Sequence, residues 1–221
     1  MSPAWYESGH QVCQCRVVLT NVNSEQDAPG AVPRCSQGLA SARGNAWSDQ
    51  TKEVMALLSS ALRVMNPGQY HAMRRVHDTI TRANHCVDSL QRWAATAFSA
   101  VSIISNRRTP FHRDPQTYLR CYDLLVSVGE YQNAPIVLDG LNIQIQNNPG
   151  TIVAVPGKTI RHGVPRCAGP RVCYALYARE SLFKRFKVRL PPWMEQDIYS
   201  DCLGPVNRSN VRGLPPRYPI M

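Results

Sequence analysis

An α+β fold built on a jelly roll is what this sequence predicts, on three observations. From Phe98 to Ala178, short runs rich in β-branched and aromatic residues recur between Gly- and Pro-containing turns. Before them, Val54 to Ala97 carries apolar residues at helical spacing. No apolar run approaches the ~18 residues of a membrane-spanning helix. The 221 residues suit one domain with its own core: 1–97 (strand, loop and supporting helices), 98–179 (jelly-roll core) and 180–221 (basic, Pro-rich extension).

In order, Gln11 to Thr20 holds Val12, Val17, Val18 and Leu19 and reads as an edge strand. Asn21 to Asn45 reads as loop, broken by Pro29-Gly30, Pro33, Gly38 and Gly44; Arg34, Arg43 and Asn45 are its candidate nucleic-acid contacts. Trp47-Ser48-Asp49 reads as staple and cap for a helix marked by Val54, Leu57, Leu58, Ala61, Leu62 and Met65. Asn66-Pro67-Gly68 ends it and starts another, because Pro suits a first helical position after an Asn cap. Tyr70, Met73, His77, Ile80, Val87, Leu90, Trp93 and Ala97 mark the helical stretch that follows, in which His71, His77 and His85 read as structural. Strands are expected at Phe98–Ile104, Tyr122–Val128, Pro135–Leu138, Leu141–Ile145, Thr151–Val155 and Arg171–Ala178. Ser181 to Arg189 interleaves aromatics with positive charge, fit either to lie along phosphates or to pack as a basic amphipathic helix. No regular structure is expected in the Pro-rich end.

With 25 Lys+Arg against 15 Asp+Glu the formal charge is +10, which favours a polyanionic partner, nucleic acid or an anionic membrane face. The N-terminus lacks a signal-peptide pattern, so a soluble intracellular protein is expected. The eight cysteines are spread through a chain able to build its own core, so free thiols are expected. Cys13-Gln14-Cys15 lacks a second ligand pair at zinc spacing, and its metal binding stays open.

The chemistry gathers between Arg107 and Arg179. Alternation along a strand would put His112 and Asp114 on one face, and a third ligand from a distant strand, His162, would complete a facial triad. Two histidines and one carboxylate leave about three octahedral positions open, as non-heme Fe(II) oxygenases require. Arg171, nine residues past His162, could clamp a co-substrate carboxylate bidentately. His-Arg-Asp also opens a kinase catalytic loop, but Pro115 follows, Leu119 stands where that loop needs Asn, and no kinase Gly-rich loop surrounds it.

Taken together, Thr109-Pro110-Phe111-His112-Arg113-Asp114, Asp123-Leu124-Leu125-Val126-Ser127-Val128-Gly129, Asn148-Pro149-Gly150-Thr151 and Arg161-His162-Gly163-Val164 resemble the TET/JBP Fe(II)- and 2-oxoglutarate-dependent dioxygenases, particularly their short fungal members. The resemblance implies a double-stranded β-helix braced by helices, Fe(II) on His112, Asp114 and His162, and 2-oxoglutarate held by Arg171. Arg107, five residues before His112, matches a second arginine near the co-substrate, with Arg108 competing for that role. Tyr177 is the candidate base-stacking residue, Arg179, two further along, could touch the base or the 2-oxoglutarate, Thr117 falls where family members contact the base edge, and Asn45, with Arg43 beside it, falls where family members meet the target base. The implied reaction is oxidation of the methyl group of 5-methylcytosine in nuclear DNA to hydroxymethyl-, formyl- and carboxylcytosine, with N6-methyladenine as a further substrate. A duplex base must be flipped out to reach such a site. No obligatory protein partner is implied.

The sequence departs from the family at Asn133-Ala134-Pro135, where paired glycines are usual, and it lacks the cysteine-rich module of animal TET proteins. Two alternatives remain: an AlkB-like demethylase of N-methylated bases, which usually has arginine where Tyr177 stands, or a nucleic-acid-binding module without turnover.

Overall fold

The computed structural model describes residues 13–18, 40–82, 95–106, 108–115, 117–165, 167–189 and 191–195. Arg34, His85, Arg107 and the Pro-rich end from residue 196 onward lie outside them.

Two antiparallel sheets form the expected double-stranded β-helix. Strands β1 (Cys13–Val18), β2 (Ala100–Ser105), β9 (Arg171–Tyr177), β4 (Asp123–Gly129) and β7 (Ile152–Val155) make the larger sheet in that spatial order. The smaller sheet runs β3 (Thr109–His112), β8 (His162–Val164), β5 (Ile136–Leu138) and β6 (Ile143–Ile145). β1 is an edge strand, as expected from its sequence.

Helices α1 (Ala42–Gln50), α2 (Lys52–Met65), α3 (Pro67–Arg82) and the short α4 (Glu180–Arg185) complete the described elements. The expected loop through Asn45 is corrected here, because residues 42–45 open α1. Ser41 caps it, its Oγ accepting the Gly44 N–H at 3.1 Å, and this cap outweighs the helix-breaking tendency of Gly44. Trp47-Ser48-Asp49 therefore lies inside α1 and does not cap the next helix. The break falls at Thr51, whose hydroxyl donates to the Trp47 carbonyl at 2.8 Å. Asn66 does cap α3, its Oδ1 accepting the Gln69 N–H at 3.0 Å.

Alternation along the larger sheet divides the core into two layers. Leu124, Val126, Tyr174, Leu176, Val101 and Ile103 pack with Met55, Leu58, Leu62, Met73, Val76 and Ile80 of the helices. Val153 and Val155 point the other way, towards Ile136, Leu138 and Val164 of the smaller sheet. Phe98 and Phe183 are completely buried in the helix-side layer, each worth about 1.5–3 kcal/mol by the area removed from water.

Polar latches tie the layers together. Ser59 of α2 accepts the Ala97 N–H at 2.8 Å and lies 3.1 Å from the Ala95 carbonyl, fixing the chain as it enters β2. Gln69 of α3 donates from Nε2 to the Tyr122 carbonyl at 2.9 Å and accepts the Tyr122 N–H at 2.7 Å, just before β4. Ser181 to Arg189, open between two readings, begins as α4, with Leu182 and Phe183 buried. Cys121, Cys167 and Cys173 are not joined in disulfides. No helix among the described residues is long and apolar enough to cross a membrane.

Candidate metal centre

The register of β3 and β8 sets His112 directly opposite His162, with ring centroids 4.6 Å apart. Asp114 stands between them: Oδ1 is 3.5 Å from His112 Nε2 and Oδ2 is 3.4 Å from His162 Nε2. The three side chains offer donor atoms that all lie within 4.8 Å of one another.

One detail departs from the strand-alternation argument. β3 ends at His112, and Asp114 lies beyond it, where its N–H donates to the Gly157 carbonyl at 3.0 Å. The β3–β8 register shifts within β3, between Thr109 and His112. The triad is thus two strand residues and one turn-held residue.

Each imidazole is oriented by a backbone carbonyl. His112 Nδ1 lies 2.9 Å from the Pro110 carbonyl and His162 Nδ1 3.0 Å from that of Ile160. Because a carbonyl only accepts, Nδ1 carries the proton in both rings, leaving the Nε2 lone pairs for the centre. Burial, opposed by the Ile160 carbonyl and Asp114 but aided by His112, holds the His162 pKa below its ordinary value. Burial works against ionisation of Asp114, yet the hydrogen bond and charge that His112 supplies when its ring is protonated on both nitrogens, then His162 and Asp123, bring its pKa below the usual value. A neutral imidazole and an ionised carboxylate are the forms that ligate a divalent ion, so the donor set fits one.

Asp123, to which the sequence reading gives no role, is buried beside Asp114. Burial first, then the charge of Asp114, pushes its carboxyl well above the usual range, with the Thr117 hydroxyl bond acting in the opposite sense. A carboxylate opening the otherwise apolar run Asp123-Leu124-Leu125-Val126 was the available signal, since such residues are rarely buried without a partner.

Arg171 opens β9 and is 2 % exposed, on the strand face that looks between the sheets. Its backbone is clamped by Asn106: the Arg171 N–H donates to Asn106 Oδ1 at 2.9 Å, and the Asn106 N–H donates to the Arg171 carbonyl at 2.8 Å. Asn106 adopts a left-handed φ of 51° to do so. Arg171 Nη1 lies 3.5 Å from the hydroxyl of buried Ser127 on β4. Opposite Arg171 stands Gly129, at φ 127°, where a Cβ would come within 2.3 Å of the Pro170 carbonyl oxygen.

The remaining expected residues divide. Tyr177 ends β9, half-buried, two strand repeats and one more along the face that carries Arg171. Arg179 is 3 % exposed, and its N–H donates to the Ser99 hydroxyl at 2.9 Å. Thr117 is buried, bridges to Arg179 through the backbone, and gives its hydroxyl to Asp123 at 2.9 and 3.2 Å. Arg43 is exposed and Asn45 half-buried, both on α1. Arg108 is exposed, and Arg107 falls outside the described residues.

Comparison with known proteins bears on the fold and the family. In a search of solved structures the chain is similar to NgTET1 in complex with 5mC DNA, with a TM-score of 0.57, 12 % identity, and coverage of 85 % of this chain and 66 % of that one. The chain thus spans slightly under two thirds of that protein. A cupin-like protein from Desulfovibrio desulfuricans overlaps with a TM-score of 0.27, 18 % identity, and coverage of 35 % and 71 %, too slight an overlap to argue from. No curated protein matches. The profile of the Tet_JBP family, described as the oxygenase domain of the 2OGFeDO superfamily, matches residues 34–180, and the chain belongs to that family of 2-oxoglutarate- and iron-dependent dioxygenases.

Proposed function

We propose that the chain oxidises the methyl group of 5-methylcytosine in duplex DNA, by way of hydroxymethyl- and formyl- to carboxylcytosine, and accepts N6-methyladenine as a further substrate. The observation that carries the reading is the set His112, Asp114 and His162, with both Nε2 atoms facing the Asp114 carboxylate, inside a dioxygenase fold that also buries Arg171. Iron held by these three residues would supply oxidation of the methyl group, coupled to decarboxylation of 2-oxoglutarate to succinate and CO₂.

The protein's own task is binding, orientation and exclusion of water. Arg171 offers the planar fork that suits a carboxylate, so it would hold the distal end of 2-oxoglutarate, with Arg107 as a second cation. Tyr177 would stack on the flipped base, and Arg179, Thr117, Asn45 and Arg43 are the candidates to meet its edge or flanking backbone. The 5mC DNA bound to the similar structure and the formal charge of +10 support a DNA substrate. A nuclear location follows from that substrate.

The test is nucleoside mass spectrometry after incubating the protein with Fe(II), 2-oxoglutarate and duplexes bearing 5-methylcytosine or N6-methyladenine. Stepwise oxidised cytosines, lost in His112→Ala and Asp114→Ala while DNA binding persists, are expected. Loss of N6-methyladenine alone would move the substrate to N-methyl groups, as in the AlkB-like alternative. No change in either base, with no succinate formed, would overturn the reading in favour of a binding module.

A further inference from the structure

The centre has a support that none of its three side chains supplies. Asp114 follows a strand end, its side chain is 37 % exposed, and its N–H rests on the Gly157 carbonyl, so β3 itself does not hold its carboxylate. Behind it the turn that carries Gly157 is closed by the Pro156 carbonyl, which accepts the N–H groups of Thr159 and Ile160, both at 2.9 Å. Gly157 is buried in that turn, and its φ is not one that requires glycine. What excludes a side chain is space: a Cβ there would lie 2.3 Å from Asp123 Oδ2 and 2.6 Å from Asp114 Oδ2. Two carboxylates converge on the spot that only a hydrogen can occupy.

The second carboxylate is itself immobilised. Asp123 is 3 % exposed, opens β4 opposite Val155 of β7, and receives the Thr117 hydroxyl on both oxygens. Thr117 is 1 % exposed and is pinned through its backbone to Arg179, just past β9. A continuous line of buried contacts therefore runs from the larger sheet to the one triad member that lacks a strand.

We infer that Gly157, Thr117 and Asp123 are positioning residues of the metal centre, fixing the side chain of Asp114 from behind so that it meets His112 and His162, and that none of the three is a ligand. The inference rests on the metal reading proposed above and assigns Thr117 to the support of the centre instead of the base edge. Two further turns of a free carboxylate would otherwise have to be frozen each time an ion binds. Partners behind a metal ligand typically change metal affinity by about 10–100-fold when removed.

The test is Co(II) titration of the chelator-stripped protein, read by visible absorption and compared with circular dichroism of the metal-free forms. Thr117→Val keeps the shape and removes the hydroxyl, and Gly157→Ala inserts the forbidden Cβ. Both should bind Co(II) about 10–100-fold more weakly, with altered visible bands, at unchanged metal-free dichroism. Thr117→Ser, which restores the hydroxyl, should return affinity and bands to those of the parent. Parent-like Co(II) binding and bands in Thr117→Val and Gly157→Ala would overturn the inference while leaving the metal reading intact. Should Gly157→Ala fail to fold, the Thr117→Val and Thr117→Ser pair decides. A parent that binds Co(II) no better than His112→Ala would instead remove the metal reading, and this inference with it.

Discussion

Acid should destabilise this protein through a histidine outside the candidate metal centre. His77, on α3, is 4 % exposed and packed under the larger sheet, and neither ring nitrogen makes a hydrogen bond of good geometry. Burial, reinforced by the charge of Arg74 and only weakly opposed by the Phe98 backbone, pulls its pKa from 6.5 to about 4. An unfolded chain takes up this proton near 6.5 while the folded chain resists until about 4. The unfolded state therefore binds more protons across that interval, and stability falls as pH drops from about 6.5 to about 4, then levels off. At about 1.4 kcal/mol per pH unit, the loss is about 3 kcal/mol. Urea unfolding of the chelator-treated protein at pH 7 and pH 4, beside His77→Met, isolates this contribution, because the carboxylates titrate in both backgrounds. The parent should lose about 3 kcal/mol more than His77→Met over the same interval. Equal losses in the two proteins would refute the assignment of a buried neutral imidazole.

Two further outcomes bear on the site. Arg171→Ala should raise the 2-oxoglutarate concentration for half-maximal succinate formation by about 10–100-fold, the weight of a charge-assisted pair, and Arg171→Lys should not restore it; an unchanged half-saturation would remove Arg171 from co-substrate binding. Tyr177→Ala should lower base oxidation more than succinate formation measured without DNA, and equal loss of both would make Tyr177 part of the scaffold instead of a base contact.

Much of this was legible in the sequence because period and turn chemistry act locally. The i, i+3, i+4 apolar spacing of α2 and α3 and the alternation of β4, β7 and β9 needed no tertiary information. What escaped was fixed by packing between distant segments. α1 was hidden because Gly44 lowers helix propensity, and its cap Ser41 is one hydroxyl in a Gly- and Ser-rich stretch. β3 and β8, of four and three residues, are too short for a periodic signal, although they carry two of the three triad members. The H-x-D spacing drew His112 and Asp114 together by an incomplete argument: His112 is on a strand and Asp114 is not. Asp123, Gly157 and Asn106 acquire their importance only from partners 9, 43 and 65 positions away in the sequence, and spacing within a motif cannot reveal such partners.

The Gln69 latch also makes the helical layer more than a lid over the sheet. Its amide imitates one residue of a neighbouring strand, donating to and accepting from the two backbone groups of Tyr122. Asp123 is the next residue along. The foot of α3 thereby sets the depth at which β4 enters the barrel, and with it the depth of the carboxylate that backs Asp114. Gln69→Glu, a change of one atom type in a helix 43 positions before His112, would withdraw the donor from the Tyr122 carbonyl and set a carboxylate oxygen against it. A substitution on the helical layer is in this way felt on the far side of the sheet.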